Sequence, residues 1–383
     1  MIESVPNIRH LAAFAATVRH GSVTRAARAV NLTQPALTQA IGGLEASLGT
    51  SLFERSAAGM MPGPPALLLA PRVEAALAQI GSSRVTGTQI KAFVAVARAG
   101  SYAGAGEAAG LSAASLHRAV ADLSVALGQR LIERRGRSIF LTAAGERRLR
   151  GFGLALAELR AGLAEVAAWQ GRAAGKIVIG AMPLSRARWL PDTIARYRVV
   201  HPEVDLVVVE GSHAELAGPL RSGDIDLMAG ALRDGSEVAD LAQEPVFIDH
   251  PKIVMRSGHP ALASPQARAG LLDYPWILPG RETPLRRYWE DMVTALSAQP
   301  PHVGIECGSV MTIRQLLLGS DAVTLLSPDQ VAVEVAAGLL ALCEPPAMVQ
   351  RMIGITTRSG WRPTSAQADF IALLRLCGTS HVG

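Results

Sequence analysis

LAAFAATVRHGSVTRAARAVNLTQPALTQAIGGLEASLGTSLFER, residues 11–55, aligns without a gap on IKAFVAVARAGSYAGAGEAAGLSAASLHRAVADLSVALGQRLIER, residues 90–134. Phe14 meets Phe93, so the offset is 93 − 14 = 79, and it pairs Gly21-Ser22 with Gly100-Ser101, Ala26 with Ala105 and Leu37 with Leu116. It continues through Leu44/Leu123, Leu48-Gly49/Leu127-Gly128, Leu52/Leu131 and Arg55/Arg134. A bias toward alanine can mimic some of these matches, but it cannot place Gly-Ser, Leu-Gly and Arg at fixed spacing. The sequence reads as two copies of one module.

In the first copy, the apolar spacing of Leu11, Phe14, Ala15 and Val18 predicts an amphipathic helix over Ile8 to Arg19, ended by Gly21. A short second helix runs from Ser22 to Val30, with Ala26 and Ala27 allowing close approach of a neighbour, and Asn31-Leu32-Thr33 makes a tight turn. Thr33 suits an N-cap, and Pro35 sits in the first turn, where a missing N–H costs nothing. The third helix, about Gln34 to Leu48, turns Leu37, Ile41, Leu44 and Leu48 inward and leaves Gln34, Thr38 and Gln39 outside. Two short helices around a tight turn, the second with polar side chains near its start, suit the DNA major groove. The plain alternative is the surface of a helical bundle that never meets DNA.

The residues Leu11-x-x-Phe14, Gly21-Ser22, Ala26-Ala27, Thr33-Gln34-Pro35-Ala36-Leu37 and Ile41-x-x-Leu44-Glu45-x-x-Leu48-Gly49-x-x-Leu52-Phe53-x-Arg55 closely resemble the LysR-type transcriptional regulators. That resemblance implies an N-terminal winged helix-turn-helix, a long linker helix that dimerises, and a C-terminal effector-binding domain of periplasmic-binding-protein type. The family normally carries one DNA-binding module, so the second copy is unusual. The copies depart from the family pattern in different places. Copy one keeps Thr33-Gln34-Pro35-Ala36 but has Gln39 where members commonly carry Arg, and its wing reads as eroded, Pro62-Gly63-Pro64-Pro65-Ala66 standing for Leu-Thr-x-x-Gly. Copy two loses the Gln-Pro pair, reading Ser112-Ala113-Ala114-Ser115, and has Ser124 for Glu45, yet keeps a wing reading Leu141-Thr142-Ala143-Ala144-Gly145.

The DNA-contacting candidates are therefore Thr33, Gln34, Pro35, Thr38 and Gln39 in copy one, with Ser112, Ser115, His117, Arg118, Arg134, Arg135, Arg137 and Thr142 in copy two. One division of labour gives base edges to copy one and phosphates to copy two; a rival reading makes one copy a degenerate spacer.

At 383 residues the chain is long enough for two or three domains. The net charge of +5 is a mild excess, but between Leu131 and Arg150 six arginines (134, 135, 137, 147, 148, 150) face only Glu133 and Glu146. Cys307, Cys343 and Cys377 lack metal-ligand or disulfide-framework spacing, so no metal and no cofactor is expected, and a reducing cytoplasm fits. Neither a signal peptide nor a membrane span is read. Gly104-Ala105-Gly106 could suggest a nucleotide loop, but no strand precedes it.

Ser56 to Gly87, with Pro62, Pro64, Pro65 and Pro71, a short apolar stretch Val73 to Ile80 and then Gly81-Ser82-Ser83, reads as a turn-rich connector with room for one helix, bounded as a connector at 67–87. Leu149, Phe152, Leu156, Leu159, Leu163 and Val166 then form an a/d seam, expected to pair with a second copy; the bland reading packs it on its own chain. From Gly175 strands alternate with helices, arguing a mainly parallel sheet. The expected organisation is a first winged module at 1–66, the connector at 67–87, a second winged module at 88–146, a dimerising helix at 147–172 and a two-lobed α/β domain at 173–383. Its first lobe comprises about 175–250 and 350–383, its second 251–349.

Ligands in open α/β sheets bind beyond the carboxyl ends of strands. This nominates Met182, Pro183, Leu184, Ser185, Ser212 and His213 on one lobe and Pro279, Ser309, Val310 and Met311 on the other. The absence of a nucleophile elbow, HExxH, phosphate loop or paired carboxylates argues against an enzyme. The expected function is a sequence-specific transcriptional regulator that works as a homodimer or homotetramer on operator DNA. It answers to a small-molecule effector and acts with RNA polymerase at promoters. The alternative is an architectural or oligomeric DNA-binding protein whose sensor no longer binds ligand.

Overall fold

A computed structural model of the chain describes residues 6–56, 59–135, 138–172, 175–264, 270–296 and 299–379. Helices α1 (Ile8–His20), α2 (Val23–Ala29) and α3 (Gln34–Leu48) precede a hairpin of β1 (Phe53–Ser56) and β2 (Gly59–Pro62), then helix α4 (Pro64–Ile80). The same succession follows as α5 (Gly87–Ala99), α6 (Tyr102–Ala109), α7 (Ala113–Leu127), β3 (Ile132–Arg135), β4 (Ser138–Leu141) and α8 (Ala143–Trp169). Starting points shift by one constant offset, Ile8 to Gly87, Gln34 to Ala113, Phe53 to Ile132 and Pro64 to Ala143. Local chemistry follows it. Thr33 and Ser112 cap the third helices, and Gly49 and Gly128 end them in the left-handed conformation at φ 66° and 62°.

The wing of the first unit forms in spite of its sequence, which corrects its reading as eroded. Phe53 pairs with Pro62 and Ser56 with Gly59, and Gly63 N–H donates to Leu52 O at 2.8 Å just as Thr142 N–H donates to Leu131 O at 3.1 Å. The first unit's hairpin is held instead by Glu45, whose Oε1 accepts from Leu52 N–H at 2.7 Å. Ser124 cannot reach that far and donates to Val120 O, so the second unit uses Thr142, whose hydroxyl donates to Arg130 O at 2.7 Å. The two hairpins are thus clamped by side chains at different places.

The one helix for which the connector has room is α4, and it begins earlier than the apolar stretch Val73 to Ile80, at Pro64. Helix α4 runs through Pro71, which lies on its exposed side, while Leu69, Val73, Ala76 and Ile80 are buried. Opposite them lie Phe152, Leu159 and Val166 of α8, with Leu149, Leu156 and Leu163 half-buried. The seam expected to face a second copy is thus filled by α4 of the same chain, and both three-helix units share one core with this pair.

The C-terminal region has two five-stranded sheets. In lobe I, β5 (Lys176–Ala181), β6 (Asp205–Glu210), β7 (Leu227–Ala231), β8 (Leu241–Asp249) and β14 (Arg351–Arg358) lie in the order β6-β5-β7-β14-β8. In lobe II, β9 (Lys252–Arg256), β10 (Trp276–Leu278), β11 (Ile305–Glu306), β12 (Val323–Leu326) and β13 (Leu340–Cys343) lie as β11-β10-β12-β9-β13. In each sheet three neighbouring strands are parallel, the fourth (β14 or β9) runs against them, and the edge strand beyond it (β8 or β13) pairs antiparallel with that fourth strand. Helices α9 (Trp189–Val200), α10 (His213–Arg221) and α14 (Ser365–Thr379) belong to lobe I; α11 (Pro284–Ala295), α12 (Val310–Leu318) and α13 (Ala332–Ala336) belong to lobe II. The chain crosses between lobes after β8 and before β14.

Lobe I sits on the α4–α8 pair. Arg98 pairs with Asp224, and Arg160 donates to Gly223 O at 3.0 Å. A Cβ on Gly153 would lie 2.2 Å from Ser222 O, so only glycine permits this approach. Arg72 of α4, 4% exposed, binds Glu165 Oε1 at 2.8 Å and Glu158 Oε2 at 3.2 Å on α8. It also donates to Arg362 O of lobe I at 2.8 Å.

Candidate nucleic-acid interface and effector cleft

The third helix of each unit turns its apolar residues in and its polar residues out: Leu37, Ala40, Ile41 and Leu44 are buried in α3, Leu116, Val120 and Leu123 in α7. Thr33, Gln34, Pro35, Thr38 and Gln39 are exposed together, as are Ser112, Ser115, His117 and Arg118. Gln34 Nε2 donates to Thr24 Oγ1 of α2 at 3.0 Å, which holds the amide at the head of the helix. In the second unit Ser112 and Ser115 bond each other at 2.8 Å, and the His117 ring leans on Tyr102 with centroids 5.1 Å apart. Thr142 is half-buried and engaged as the cap of α8, so it serves the wing's geometry. Arg137 lies outside the described residues, as do the side chains of Arg134 and Arg135. Two cations escaped the sequence reading: Arg25 and Arg28 are exposed on α2 beside Thr24 and Gln34. Their spacing of three along a helix was the available signal.

In the lobes, several nominated side chains are committed elsewhere. Met182 and Leu184 are buried in the lobe I cores, and Ser185, fully buried, donates to Met182 O at 2.9 Å. Ser212 and Ser309 are N-caps of α10 and α12. Pro183, Pro279 and Val310 are half-exposed and Met311 is exposed, with no polar group to offer. A groove lined by Tyr288, Asp291, Met348, Gln350 and Arg351 lies at the crossings between lobes and includes none of the nominated residues.

His213 is different. It begins α10, just past the carboxyl end of β6, and its Nε2 is buried without a hydrogen-bond partner among the described residues. Arg233 follows β7 in the same way; Gln243 brackets its backbone, and its Nε is likewise buried without a partner. Burial first, then the charges of Arg233 and Arg221, hold the His213 imidazole below the ordinary histidine range. Burial first, then the charge of Arg287 in lobe II, holds the Arg233 guanidinium below its ordinary range. Among the described residues no cluster suits a metal ion, and no helix is long and apolar enough to cross a membrane.

Comparison with known proteins agrees with this architecture. Residues 170–376 match the family described as LysR substrate binding domain, and residues 8–66 and 88–146 each match the bacterial regulatory helix-turn-helix protein, lysR family. The chain belongs to the LysR family. Like other LysR-family members it is a DNA-binding transcriptional regulator with a substrate-binding domain, not an enzyme. The HTH-type transcriptional regulator GalR of Pseudomonas putida is 32% identical over 386 residues, covering 97% of both chains. PcaQ of Agrobacterium fabrum is 29% identical and covers 73% of this chain and 91% of its own. Among solved structures, a full-length OxyR variant from Pseudomonas aeruginosa superposes with TM-score 0.56 at 24% identity, covering 76% of this chain and 93% of that one. CbnR complexed with its target DNA gives 0.54 at 20% identity, covering 76% and 99%. These two likenesses show the LysR fold.

Proposed function

We propose that this regulator carries two tandem winged helix-turn-helix modules, both of which contact operator DNA, and that its two-lobed domain takes a small polar effector between His213 and Arg233 of lobe I and the Arg287-Tyr288 face of lobe II. The observation that carries the first half is the repeated exposure of a polar third-helix face in two units with the same caps, hairpin and following helix. The two separate helix-turn-helix matches support it, as does the length relation: PcaQ accounts for 91% of itself but 73% of this chain, whereas GalR matches end to end. For the second half, two buried nitrogens without partners stand beyond the carboxyl ends of β6 and β7, where open sheets bind ligands.

A footprint of the purified protein on its own upstream region tests the DNA reading; protection at one head's width only would refute two working modules. Gln34→Ala should change which base is preferred at one position, by about 1–3 kcal/mol of discrimination, while leaving the other positions alone. A uniform loss across all sequences would assign Gln34 to backbone contact instead.

His213 supplies a pH test. Its folded-state pKa lies below the unfolded value near 6.5, so the unfolded chain gains a proton that the native imidazole refuses. Stability should therefore fall as pH drops below about 6.5, at no more than about 1.4 kcal/mol per pH unit from this group. His213→Gln should flatten that part of the profile in urea titrations between about pH 5 and 8. Parallel profiles for the two proteins would show that His213 titrates normally.

A further inference from the structure

The α4–α8 pair has an internal symmetry. The helices run antiparallel: the Gln79 carbonyl lies 3.2 Å from where a Cβ on Gly151 would stand, and further along Arg72 bonds Glu158 at 3.2 Å. Shifting by the repeat offset turns Gln79 into Glu158 and Arg72 into Gly151, since 158 − 79 = 79 and 151 − 79 = 72. Exchanging the two units therefore maps one contact onto the other. Only an approximate two-fold axis does this, and it passes beside Ala76 and Ala155, which are themselves equivalent and both buried. Ala76 is 12 residues from the start of α4 at Pro64, and Ala155 is 12 from the start of α8 at Ala143. At about 1.5 Å per residue each wing root stands about 18 Å from the axis, and the two roots about 36 Å apart. One turn of B-DNA is about 34–36 Å.

We infer that a single chain is a covalently joined pair of reading heads: it occupies two inverted half-sites about one helical turn apart, with no second copy at the α4–α8 seam. The seam is closed to another chain by the shared apolar core and by the bonds from Arg72 to Glu158 and Glu165. The half-sites differ in sequence, because one head presents Gln34, Thr38 and Gln39 and the other Ala113, His117 and Arg118 at corresponding places. This inference rests on both modules contacting DNA.

The test uses the full-length protein and duplexes it enriches from a random-sequence library. The enriched sequences should contain two dissimilar half-sites in inverted orientation, and native mass spectrometry should count two half-sites for every bound chain, whether one chain or several occupy the duplex. Inserting about five base pairs, half a turn, between the half-sites should weaken binding by about 100-fold, since one head is then torn from its site. Gln34→Ala should alter preference in one half-site and Arg118→Ala in the other. One half-site per chain, indifference to the insertion, or both substitutions acting on the same half-site would overturn the paired-head inference and leave DNA reading intact. If no duplex is enriched at all, DNA reading by these modules fails, and this inference with it.

Discussion

Arg72→Ala is expected to cost about 3–5 kcal/mol, the range for breaking a buried ion pair by removing one partner. The side chain is 4% exposed, and its two carboxylate partners, Glu158 and Glu165, are mostly buried at 21% and 18% exposure. Burial alone would lower the guanidinium pKa, but the hydrogen bonds and charges of Glu165 and Glu158 outweigh it and hold the group above its ordinary value. Truncation removes the Arg72 partner of Glu165, leaves Glu158 with the more exposed Arg362 at 3.5 Å, and leaves the Arg362 carbonyl of lobe I without its donor at 2.8 Å. Urea unfolding of the full-length protein measures the loss. The triple substitution R72M/E158Q/E165Q should recover much of it, because removing all charges avoids the uncompensated ones. A loss below about 1 kcal/mol for Arg72→Ala would place the pair among screened surface contacts.

The second large effect concerns the wing of the second unit. Replacing Arg134, Arg135 and Arg137 together with Ala should weaken binding to every sequence alike and make the plot of log affinity against log salt shallower by about 2.7, at about 0.9 per phosphate. Arg25 and Arg28 are exposed on α2 of the first unit, and their double replacement should reduce the slope by about 1.8 on the same reasoning. Filter binding or fluorescence anisotropy across a salt series reads both. A slope unchanged by the triple substitution would remove the wing from the phosphate contacts.

Much of this fold is legible in the chain because period and punctuation agree. Ile177–Ile179 and Trp276–Leu278 are short apolar runs bounded by breakers, and the seam from Leu149 to Val166 announces a helix. Strand β8 is not legible, since Pro245 sits inside it; the strand tolerates proline because it is the sheet's edge and the register shifts there, opposite Ile353 and Gly354. The first half of helix α4, before the apolar stretch Val73 to Ile80, is obscured for a similar reason. Four prolines suggest a loop, yet Pro64 and Pro65 fall in the first turn, where no N–H is needed, and Pro71 faces outward. The partner of the α8 seam was beyond reach, since periodicity says that a face must be covered and not by which helix.

At the site, the exposed heads of α3 and α7 follow from the helix period alone. The proposed effector face does not. Proximity to strand ends selects His213, whose Nε2 is buried without a partner among the described residues, but it equally selects Ser185 and Ser212, whose hydroxyls are taken up by local turns and caps. Arg233 carries no sequence signal, because its burial depends on Gln243 ten residues away bracketing its backbone.

The constant offset through α4 and α8 bears on inheritance. When two identical chains make a symmetric pair, a substitution in one is made in both, and any gain at one half of the DNA is imposed on the other. Here geometric symmetry is kept while each half is encoded separately: Gln34 can change with Ala113 untouched, and Glu45 and Thr142 already show two different solutions to the same hairpin. With the paired heads proposed above, selection would tune the two ends of one operator independently.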